Sequence, residues 1–331
     1  MKAIAVTDNG LEWTGHEDPG SPQAGEVLID VAWAGMNRAD LMQRAGAYPP
    51  PEGASPILGL EVSGVIREVG EEVTRLARGD RVCALLTGGG YAEQVRVPAP
   101  QVLPIPDGVS LRDAAGLPEV FATAWLNLYR EAALKPGERI LLHAGASGVG
   151  TAVIQLARVM GNPVFVTAGS DDKIEACRAL GADAGWNRHE GSFVDAVQAW
   201  GGVDMVLDPV GGDYIRQDQS VLNPDGRIVV IGLMGGRDSN IDLGYLLVKR
   251  QRLIGSTLRS QPVSVKGEVM AALQQQVWPR LASGEVKPVI DRTFAITRAG
   301  DAMAHLQANE STGKVLLAVQ AEEAHGSAIS D

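Results

Sequence analysis

Cysteine is scarce in this sequence of 331 residues, which contains only Cys83 and Cys177. The two lie far apart and form no paired spacing, whereas a disulfide framework or a cysteine-rich zinc site needs more thiols. We therefore expect an intracellular protein of a reducing compartment and place it in the cytoplasm.

Runs of basic residues are also absent, and the formal net charge is −11. Nucleic-acid binding depends on clustered lysine and arginine, so a nucleic-acid partner is not expected. No apolar run approaches the roughly 20 residues that span a bilayer. The first ten residues alternate like a strand and lack the apolar core of a signal peptide. The sequence therefore predicts a soluble protein without a membrane-inserted part.

The chain has enough hydrophobic residues, 45%, for buried cores, and its length favours two domains. Residues 1 to about 115 contain short segments rich in valine and isoleucine, separated by glycine, proline and aspartate, which is typical of a β-barrel or sandwich. From Lys135 onward, apolar strands alternate with helical periods, and this predicts a parallel, doubly wound sheet. The segment 262–319 begins with an amphipathic helix and ends in strands that could return to the first domain. We expect residues 320–331 to form a frayed terminus.

Residues 143–150, here called the phosphate turn, form a glycine cluster (HAGASGVG) between an apolar strand and a helix. The spacing G-x-x-G-x-G is a variant of the commoner G-x-G-x-x-G fingerprint. Glycine lets the backbone turn sharply and approach a pyrophosphate, and the following helix directs free N–H groups and its positive dipole end toward the anion. The surrounding strands and helix distinguish this cluster from a chance turn. We predict a dinucleotide site with the candidate contacts Gly145, Ser147, Gly148, Val149 and Gly150.

The second strand of this domain ends near Gly169 and Ser170, where an NAD site would carry a carboxylate for the ribose diol. These small residues leave room for a 2′-phosphate, and Lys173, one helical turn further on, could pair with it. Arg188 is a second possible contact with the phosphate or the adenine. Alternatively, Ser170 only caps a helix and Lys173 is a solvated surface residue beside two aspartates. We expect NADPH as the cofactor, with NADH less favoured.

Two further glycine turns follow later strands, at residues 208–212 and 232–236. Ligands of open α/β sheets bind at the carboxyl ends of the strands. These turns are therefore candidate supports for the nicotinamide, although each alone would be an ordinary strand-to-helix turn. The candidate residues are Gly211, Gly232, Leu233 and Met234.

Ordered motifs along the chain carry a family resemblance. They are NRADLMQR at 37–44, YPPP at 48–51, ILGLEV at 57–62, GDRV at 79–82, GGYAE at 89–93, the phosphate turn through Gln155, AGS at 168–170, GLMGG at 232–236 and GK at 313–314. Together they resemble the zinc-free quinone oxidoreductase branch of the medium-chain dehydrogenase/reductase superfamily over about residues 1–319.

This resemblance implies an α/β protein with two domains. A GroES-like, β-rich catalytic domain would comprise residues 1–118 and 262–331, and a Rossmann cofactor domain with a doubly wound parallel sheet would comprise residues 119–261. The resemblance also implies a homodimer joined through the cofactor domains, in which the apolar stretch 245–258 would pair strand edges.

Departures from the zinc alcohol dehydrogenases of the same superfamily predict a site without metal. Asn37 stands where those enzymes carry a cysteine ligand, and Leu60 stands where they carry a histidine. The four-cysteine lobe of those enzymes is missing as well. Because catalytic zinc needs about three converging protein ligands, zinc is not expected. A flavin is not expected either. Without zinc as a Lewis acid, reduction of an activated carbonyl or alkene is favoured over alcohol oxidation.

Three residues are candidates for the catalytic site. The amide of Asn37 could bind the nicotinamide ribose or a substrate carbonyl, or instead stabilise the loop before a helix. Tyr48 resembles the proton-donating tyrosine of zinc-free enoyl thioester reductases, but it could also pack against a quinone or be a loop tyrosine without a role. Thr123 resembles a nicotinamide contact of the family, with a hydroxyl bonded to its own helix as the alternative. The five histidines form no triad, which fits hydride transfer by a cofactor.

The sequence thus predicts NADPH-dependent reduction of quinones or similarly activated carbonyl compounds. One alternative is a reductase of 2-alkenals, enones or enoyl thioesters, although a coenzyme A thioester would need a basic surface for its phosphates and none is obvious. The other is a non-enzymatic NADPH-binding protein of the crystallin kind.

Overall fold

The computed structural model describes residues 1–8 and 10–320, so all but the first residue of the terminus expected to fray lies outside the described residues. The chain divides into two compact units. The first contains residues 1–118, 292–310 and the chain from 314 onward, and the second contains residues 119–291 and 311–313. No helix among the described residues is long and apolar enough to cross a membrane.

The strands, in chain order, are β1 (Lys2–Thr7), β2 (Gly10–Gly15), β3 (Glu26–Gly35), β4 (Glu61–Val69), β5 (Arg81–Leu85), β6 (Gln94–Pro98), β7 (Val102–Pro104), β8 (Ile140–Leu142), β9 (Val164–Ala168), β10 (Ala184–Asn187), β11 (Val203–Asp208), β12 (Leu222–Val230), β13 (Arg252–Gly255), β14 (Ile290–Ala295) and β15 (Lys314–Ala318). The α-helices are α1 (Arg38–Arg44), α2 (Leu111–Ala114), α3 (Pro118–Trp125), α4 (Gly148–Met160), α5 (Asp171–Leu180), α6 (Val194–Ala199), α7 (Tyr214–Val221), α8 (Leu243–Val248), α9 (Val263–Gln276), α10 (Trp278–Ala282) and α11 (Ala299–Gln307). A π-helical segment, Leu126–Glu131, continues α3.

The first unit is built on a seven-stranded sheet in the order β14-β15-β3-β4-β5-β7, with β6 also pairing with β3. The pairings of β3 with β4, β6 and β15 are antiparallel. Valine and isoleucine favour strands because their branched side chains pack well on a pleated surface. In this unit they supply much of the buried core, including Val27, Ile29, Val31, Val62, Ile66 and Val82. The β-rich, GroES-like class expected from the sequence is confirmed.

The second unit contains a six-stranded sheet in the order β10-β9-β8-β11-β12-β13. All of its neighbouring strands are parallel. Strands β8 and β9 are buried along their whole length, as expected for a sheet covered on both faces. The chain leaves β8 first toward β9 and later toward β11, so the order reverses between β8 and β11, where open α/β sheets bind their ligands. The predicted Rossmann architecture is confirmed.

The boundary expected at residue 262 differs from the structure, because the segment 262–291 belongs to the second unit. Helix α9 buries an apolar face that includes Met270 and Leu273, and its Glu268 pairs with Arg130. Further along, the side-chain amide of Gln155 bonds both backbone groups of Lys287, at 2.9 and 3.0 Å. The sequence pattern indicates an amphipathic helix here, but it does not indicate which core the apolar face covers.

Candidate functional site

The phosphate turn connects β8 to α4 with a tightly specified backbone. Ala144 adopts a left-handed conformation at φ 54°, and the N–H of Gly145 donates to the carbonyl of Thr167 at 2.9 Å. Ser147 caps α4, because its Oγ accepts a hydrogen bond from the N–H of Gly150 at 3.0 Å. The turn thus brings the amino end of α4 to the carboxyl ends of β8 and β9, referred to below as the carboxyl edge of the sheet.

The glycines of the turn are required by close packing. A Cβ atom on Gly145 would lie 2.8 Å from the side chain of Val166, and one on Gly150 would lie 2.7 Å from the carbonyl oxygen of Ala144. Gly148 is the first residue of α4. A backbone packed this closely, with helix N–H groups at its end, fits the diphosphate of a dinucleotide.

A short segment from far along the chain lies against the phosphate turn. We call residues 311–313 the strap. The N–H of Gly313 donates to the carbonyl of Ala146 at 2.8 Å, and Gly313 also forms an isolated parallel bridge with Ser147. Gly313 has φ 87°, and a Cβ atom there would meet the side chain of Val289 at 2.7 Å. Sequence reasoning matched this glycine to a family motif but did not foresee its contact with the turn.

The residues expected to distinguish NADPH from NADH come together next to the turn. Ser170 caps α5, and its Oγ accepts from the N–H of Lys173 at 3.3 Å. The ammonium of Lys173 donates to the carbonyl of Ser311 in the strap at 3.0 Å. A Cβ atom on Gly169 would lie 3.4 Å from the guanidinium of Arg188, so this cation lies directly over the glycine. Lys173 is half-buried.

The two later glycine turns interlock at the carboxyl edge. The buried Asp208 carboxylate ends β11 and accepts hydrogen bonds from the N–H groups of Val210, at 2.6 Å, and Gly211, at 3.0 Å. The carbonyl of Val210 in turn accepts from the N–H of Gly235 at 2.7 Å. These bonds fix Gly211 in its left-handed conformation at φ 66°.

The turn after β12 presents apolar side chains. A Cβ atom on Gly232 would lie 2.6 Å from the carbonyl oxygen of Pro209, so the two turns approach at backbone distance. Leu233 and Met234 follow and are about half exposed, at 50% and 45%. Exposed apolar side chains beside a ligand-binding edge are suited to covering a flat ring.

Thr123 lies on α3, which is continued by the π-helical segment Leu126–Glu131. The carbonyl of Thr123 accepts a hydrogen bond from the side-chain amide of Asn127 at 2.7 Å.

Ser256 was missed by sequence reasoning. Its Oγ is buried and has no hydrogen-bond partner within residues 1–8 and 10–320. Ser256 directly follows β13, and its N–H donates to the carbonyl of Val230 at 3.0 Å, which places it at the carboxyl edge beside the end of β12. A buried hydroxyl without a partner costs about 1–3 kcal/mol and points to an absent ligand or water. A serine after a strand carries no such signal in sequence.

In the first unit, Asn37 is held by protein groups on both sides of its amide. Its Nδ2 donates to Glu61 at 3.0 Å, and its Oδ1 accepts from the ammonium of Lys314 at 2.7 Å. Lys314 also donates to Glu61 at 2.6 Å and to the carbonyl of Met36 at 2.5 Å. These contacts favour the loop-stabilising alternative for Asn37.

Asp40 is a buried structural acid. One carboxylate oxygen accepts from the phenol of Tyr91 at 2.7 Å and from the N–H of Asn37 at 2.8 Å, and the other accepts from the N–H of Gly59 at 3.1 Å. Burial raises the pKa of Asp40, and the hydrogen bond from Tyr91 opposes this effect. These contacts give Asp40 a structural role in the first unit.

Tyr48 lies in the loop between α1 and β4, where its ring is half-buried. Its N–H donates to the carbonyl of Met42 at 3.2 Å, and the far end of the loop is tied back by Gln43, whose amide donates to the carbonyl of Pro56 at 2.8 Å. The loop is therefore anchored at both ends, which presents Tyr48 from a defined position.

Comparisons with known proteins agree with this arrangement. The alcohol dehydrogenase GroES-like domain matches residues 23–107, and the zinc-binding dehydrogenase domain matches residues 148–275. Quinone oxidoreductase-like protein 2 of Bos taurus is 34% identical over 91% of this chain and 87% of its own length. The quinone oxidoreductase of Thermus thermophilus, also solved in complex with NADPH, is 33% identical with a TM-score of 0.82, covering 96% of this chain and all of its own. The CurK enoyl reductase is 30% identical with a TM-score of 0.83, covering 96% and 99%.

The chain belongs to the zinc-free quinone oxidoreductase branch of the medium-chain dehydrogenases/reductases. The family assignment expected from the sequence motifs is thereby confirmed.

Within this branch, the positions of the zinc ligands serve other purposes here. Leu60 is buried in the first unit, and Asn37 is engaged by Glu61 and Lys314 as described above. The described part of the chain contains no group of three or more His, Cys, Asp or Glu side chains that could hold a metal ion. The zinc-binding name of the matching domain is the name of the family model, and residues 1–8 and 10–320 contain no such ligand set.

Proposed function

We propose that this oxidoreductase uses NADPH to reduce quinones or similarly activated carbonyl compounds. The observation that carries the proposal is that Ser170 caps α5 just before Lys173 and the guanidinium of Arg188 lies over Gly169, at a position where NAD-binding domains carry a carboxylate. The quinone oxidoreductases among its relatives support the choice of acceptor.

The preference for NADPH follows from charge and space at this corner. A 2′-phosphate carries nearly two negative charges, and charge-assisted hydrogen bonds from lysine and arginine hold such groups. The strap carbonyl already orients the ammonium of Lys173, and Gly169 leaves room beside the guanidinium of Arg188.

The remaining candidates in the second unit position the other half of the dinucleotide. Bound nicotinamide supplies the hydride for the reduction. Gly211 and Gly232 allow the backbone to approach the ring, and Leu233 and Met234 exclude water from one side of it. The orphaned hydroxyl of Ser256 is suited to receive or donate a hydrogen bond at the carboxamide, and Thr123 is a further contact.

In the first unit, we assign proton delivery to the phenol of Tyr48 or to water, at the oxygen of the reduced acceptor. Asn37 fixes the loop at the start of α1 through Glu61 and Lys314. A hydroquinone oxygen is only weakly basic, so the reduction of a quinone depends less on an enzymic proton donor than the reduction of an enone does.

A reductase of enones or enoyl thioesters is the second candidate, and Tyr48 is the observation that favours it. The CurK enoyl reductase is nearly as similar to this chain as the Thermus quinone oxidoreductase. Reduction of an isolated enoyl group needs proton addition to carbon, for which a positioned phenol is useful.

We also propose a homodimer formed through the second unit. Strand β13 is at the edge of its sheet, and an unpaired edge is a ready site for strand addition. The helix before it exposes Leu243, Leu247 and Val248, each more than 70% accessible. A contiguous exposed apolar surface of this kind is typical of an interface. We also propose that the protein is located in the cytoplasm.

The first experiment titrates the apo protein with NADPH and NADH and then follows oxidation of the preferred nucleotide with 1,2-naphthoquinone, 1,4-benzoquinone and a simple enone. We expect NADPH to bind at least tenfold more tightly, and Lys173→Ala to remove most of this preference while NADH affinity stays the same. Lys287→Ala, at an exposed lysine of the same unit, is the matched control.

Three outcomes would redirect the assignment. Preference for NADH would overturn the cofactor. Turnover of the enone alone would favour the second candidate. NADPH binding without turnover of any acceptor would indicate a non-enzymatic NADPH-binding protein.

A further inference from the structure

The residue that opens the phosphate turn, His143, lies in a fully buried polar cluster that the proposed function does not use. Its Nε2 is 2.8 Å from an oxygen of Asp218 on α7, and its Nδ1 is 2.9 Å from the hydroxyl of Thr167 on β9. The imidazole also packs against the rings of Phe193 and Tyr214, with centroids 4.9 and 4.8 Å away. Both polar ring atoms are therefore engaged by protein groups, and two aromatic rings pack against the imidazole.

Thr167 joins this cluster to the turn. Its hydroxyl contacts the ring of His143, and its carbonyl accepts the N–H of Gly145, the first glycine of the turn. His143 itself immediately precedes Ala144, the left-handed residue of the turn. The ring of His143 and the backbone that receives the pyrophosphate are thus connected by the covalent chain and by one bridging residue.

The buried cluster around His143 and Asp218 contains more negative than positive charge. Asp218 is fully buried, and its second oxygen has no hydrogen-bond partner among the described residues. Burial, assisted by the nearby carboxylate of Asp208, raises the pKa of Asp218 to about 6, although His143 lowers it. With a neutral imidazole the pair carries one negative charge, and with one added proton it carries none.

We infer that His143 and Asp218 are a positioning pair for the phosphate turn, and that the pair takes up one proton when the pyrophosphate of a dinucleotide binds. The inference rests on the dinucleotide part of the proposed function and not on the acceptor. An anion held at the turn adds negative charge near a buried pair that is already negative. Adding a proton to the pair removes that repulsion and holds the imidazole between Thr167 and Asp218.

Other charged groups around the cluster affect how readily the His143–Asp218 pair takes up a proton. The Asp208 carboxylate on β11 is held by two backbone N–H groups and favours the protonated pair. The phenol of Tyr214 stays neutral because burial raises its pKa, while the positive charge of Arg188 opposes that effect. A group that gains a proton on binding makes affinity fall as the pH rises through its titration.

The test uses ADP-ribose, which keeps the pyrophosphate but has neither a nicotinamide nor a titrating 2′-phosphate. Calorimetric titrations near neutral pH, in two buffers of different ionisation enthalpy, count the protons taken up. We expect a substantial fraction of one proton for the parent protein, and an affinity that falls by up to about tenfold per pH unit above neutrality. Asp218→Asn should abolish both effects, and Asp195→Asn, at an exposed position on α6, should preserve them.

Zero uptake by the parent protein, or unchanged uptake in Asp218→Asn, would overturn the inference. If that variant fails to fold, NMR of the parent protein with carboxyl-labelled aspartate decides the matter. We expect ADP-ribose to raise the pH at which the Asp218 carboxyl signal titrates, and an unmoved titration would contradict the inference. ADP-ribose binding without proton uptake leaves the proposed function intact, whereas proton-linked binding without acceptor turnover removes only the proposed reaction.

Discussion

Lys314 donates to the carboxylate of Glu61 at 2.6 Å, in an ion pair whose side chains are 4% and 0% exposed. The other two hydrogen bonds of the ammonium reach the Met36 carbonyl and the amide oxygen of Asn37, so all three donors are used. This single cation joins the start of β15 to the end of β3 and the start of β4, and it orients the candidate amide.

Removing this cation should destabilise the first unit strongly. We expect Lys314→Met to lower the free energy of unfolding by about 3–5 kcal/mol, because it leaves the Glu61 carboxylate buried without a counter-charge. Urea-induced unfolding followed by tryptophan fluorescence measures this loss. Combining Lys314→Met with Glu61→Gln should recover part of the stability, and a double variant no more stable than the single one would contradict the charge argument.

Glycine at position 150 should be indispensable for the cofactor. Gly150→Ala places a Cβ atom against the carbonyl oxygens of Gly145 and Ala144, so the turn must open. We expect NADPH affinity to fall at least a hundredfold by fluorescence titration. Gly300→Ala is the control, because a Cβ atom there meets nothing within 4 Å. Normal NADPH affinity in Gly150→Ala would show that the turn does not hold the phosphates.

The orphaned hydroxyl of Ser256 should contribute to binding of the nicotinamide half only. We expect Ser256→Ala to weaken NADPH binding about fivefold to tenfold, as for one hydrogen bond of about 1–1.5 kcal/mol. Affinity for 2′,5′-ADP, which lacks nicotinamide, should not change. Equal weakening of both ligands would assign Ser256 a structural role, and no weakening of either would remove it from the site.

Lys266 on α9 gives the protein a stability that rises with pH in the alkaline range. Burial lowers the pKa of Lys266 from 10.5 to about 8, although Glu119 opposes the shift. Between pH 8 and pH 10.5 the unfolded chain therefore holds a proton that the folded chain has released, so raising the pH favours folding through this group. Relative to the parent protein, Lys266→Met should lose this contribution in unfolding curves at several pH values. If the free energy of unfolding depended on pH in the same way in the parent protein and in Lys266→Met, the lowered pKa assigned to Lys266 would be contradicted.

Tyr48→Phe separates the two candidate reactions. Proton donation by a positioned side chain contributes about 10²–10⁴-fold to a rate. We expect turnover of an enone to fall by about that factor, and turnover of a quinone to fall less than tenfold, since water can protonate its oxygen. NADPH affinity, measured in parallel, should stay the same. An equal loss for both acceptors would indicate that Tyr48 positions substrate and does not donate a proton.

The features that the sequence predicted best are those that depend on residues close together in the chain. The alternation of apolar strands with helices required a parallel sheet, and the glycine spacing at 145–150 required a close turn at a helix start. The sequence placed a boundary at residue 262, whereas contacts group 262–291 with the second unit. An amphipathic helix such as α9 shows its apolar face in sequence but not the core that receives it.

Contacts between distant parts of the chain could not be predicted. Asp218 lies 75 residues from His143, and Lys314 lies 277 residues from Asn37. Neither aspartate nor lysine carries a pattern that reveals such a partner. The isolation of the Ser256 hydroxyl is likewise a property of the packed surroundings and not of its neighbours in sequence.

The contacts of the strap determine when, during synthesis on the ribosome, the phosphate turn can complete its hydrogen bonds. The phosphate turn is translated before the chain reaches its midpoint, yet the hydrogen bond from Gly313 to Ala146 and the one from Lys173 to Ser311 need residues made near the end. Strand β15, which inserts between β14 and β3, follows directly afterward. Neither unit reaches its final hydrogen bonding while the chain is still incomplete, so a nascent chain cannot acquire a fully formed nucleotide site before translation has passed residue 313.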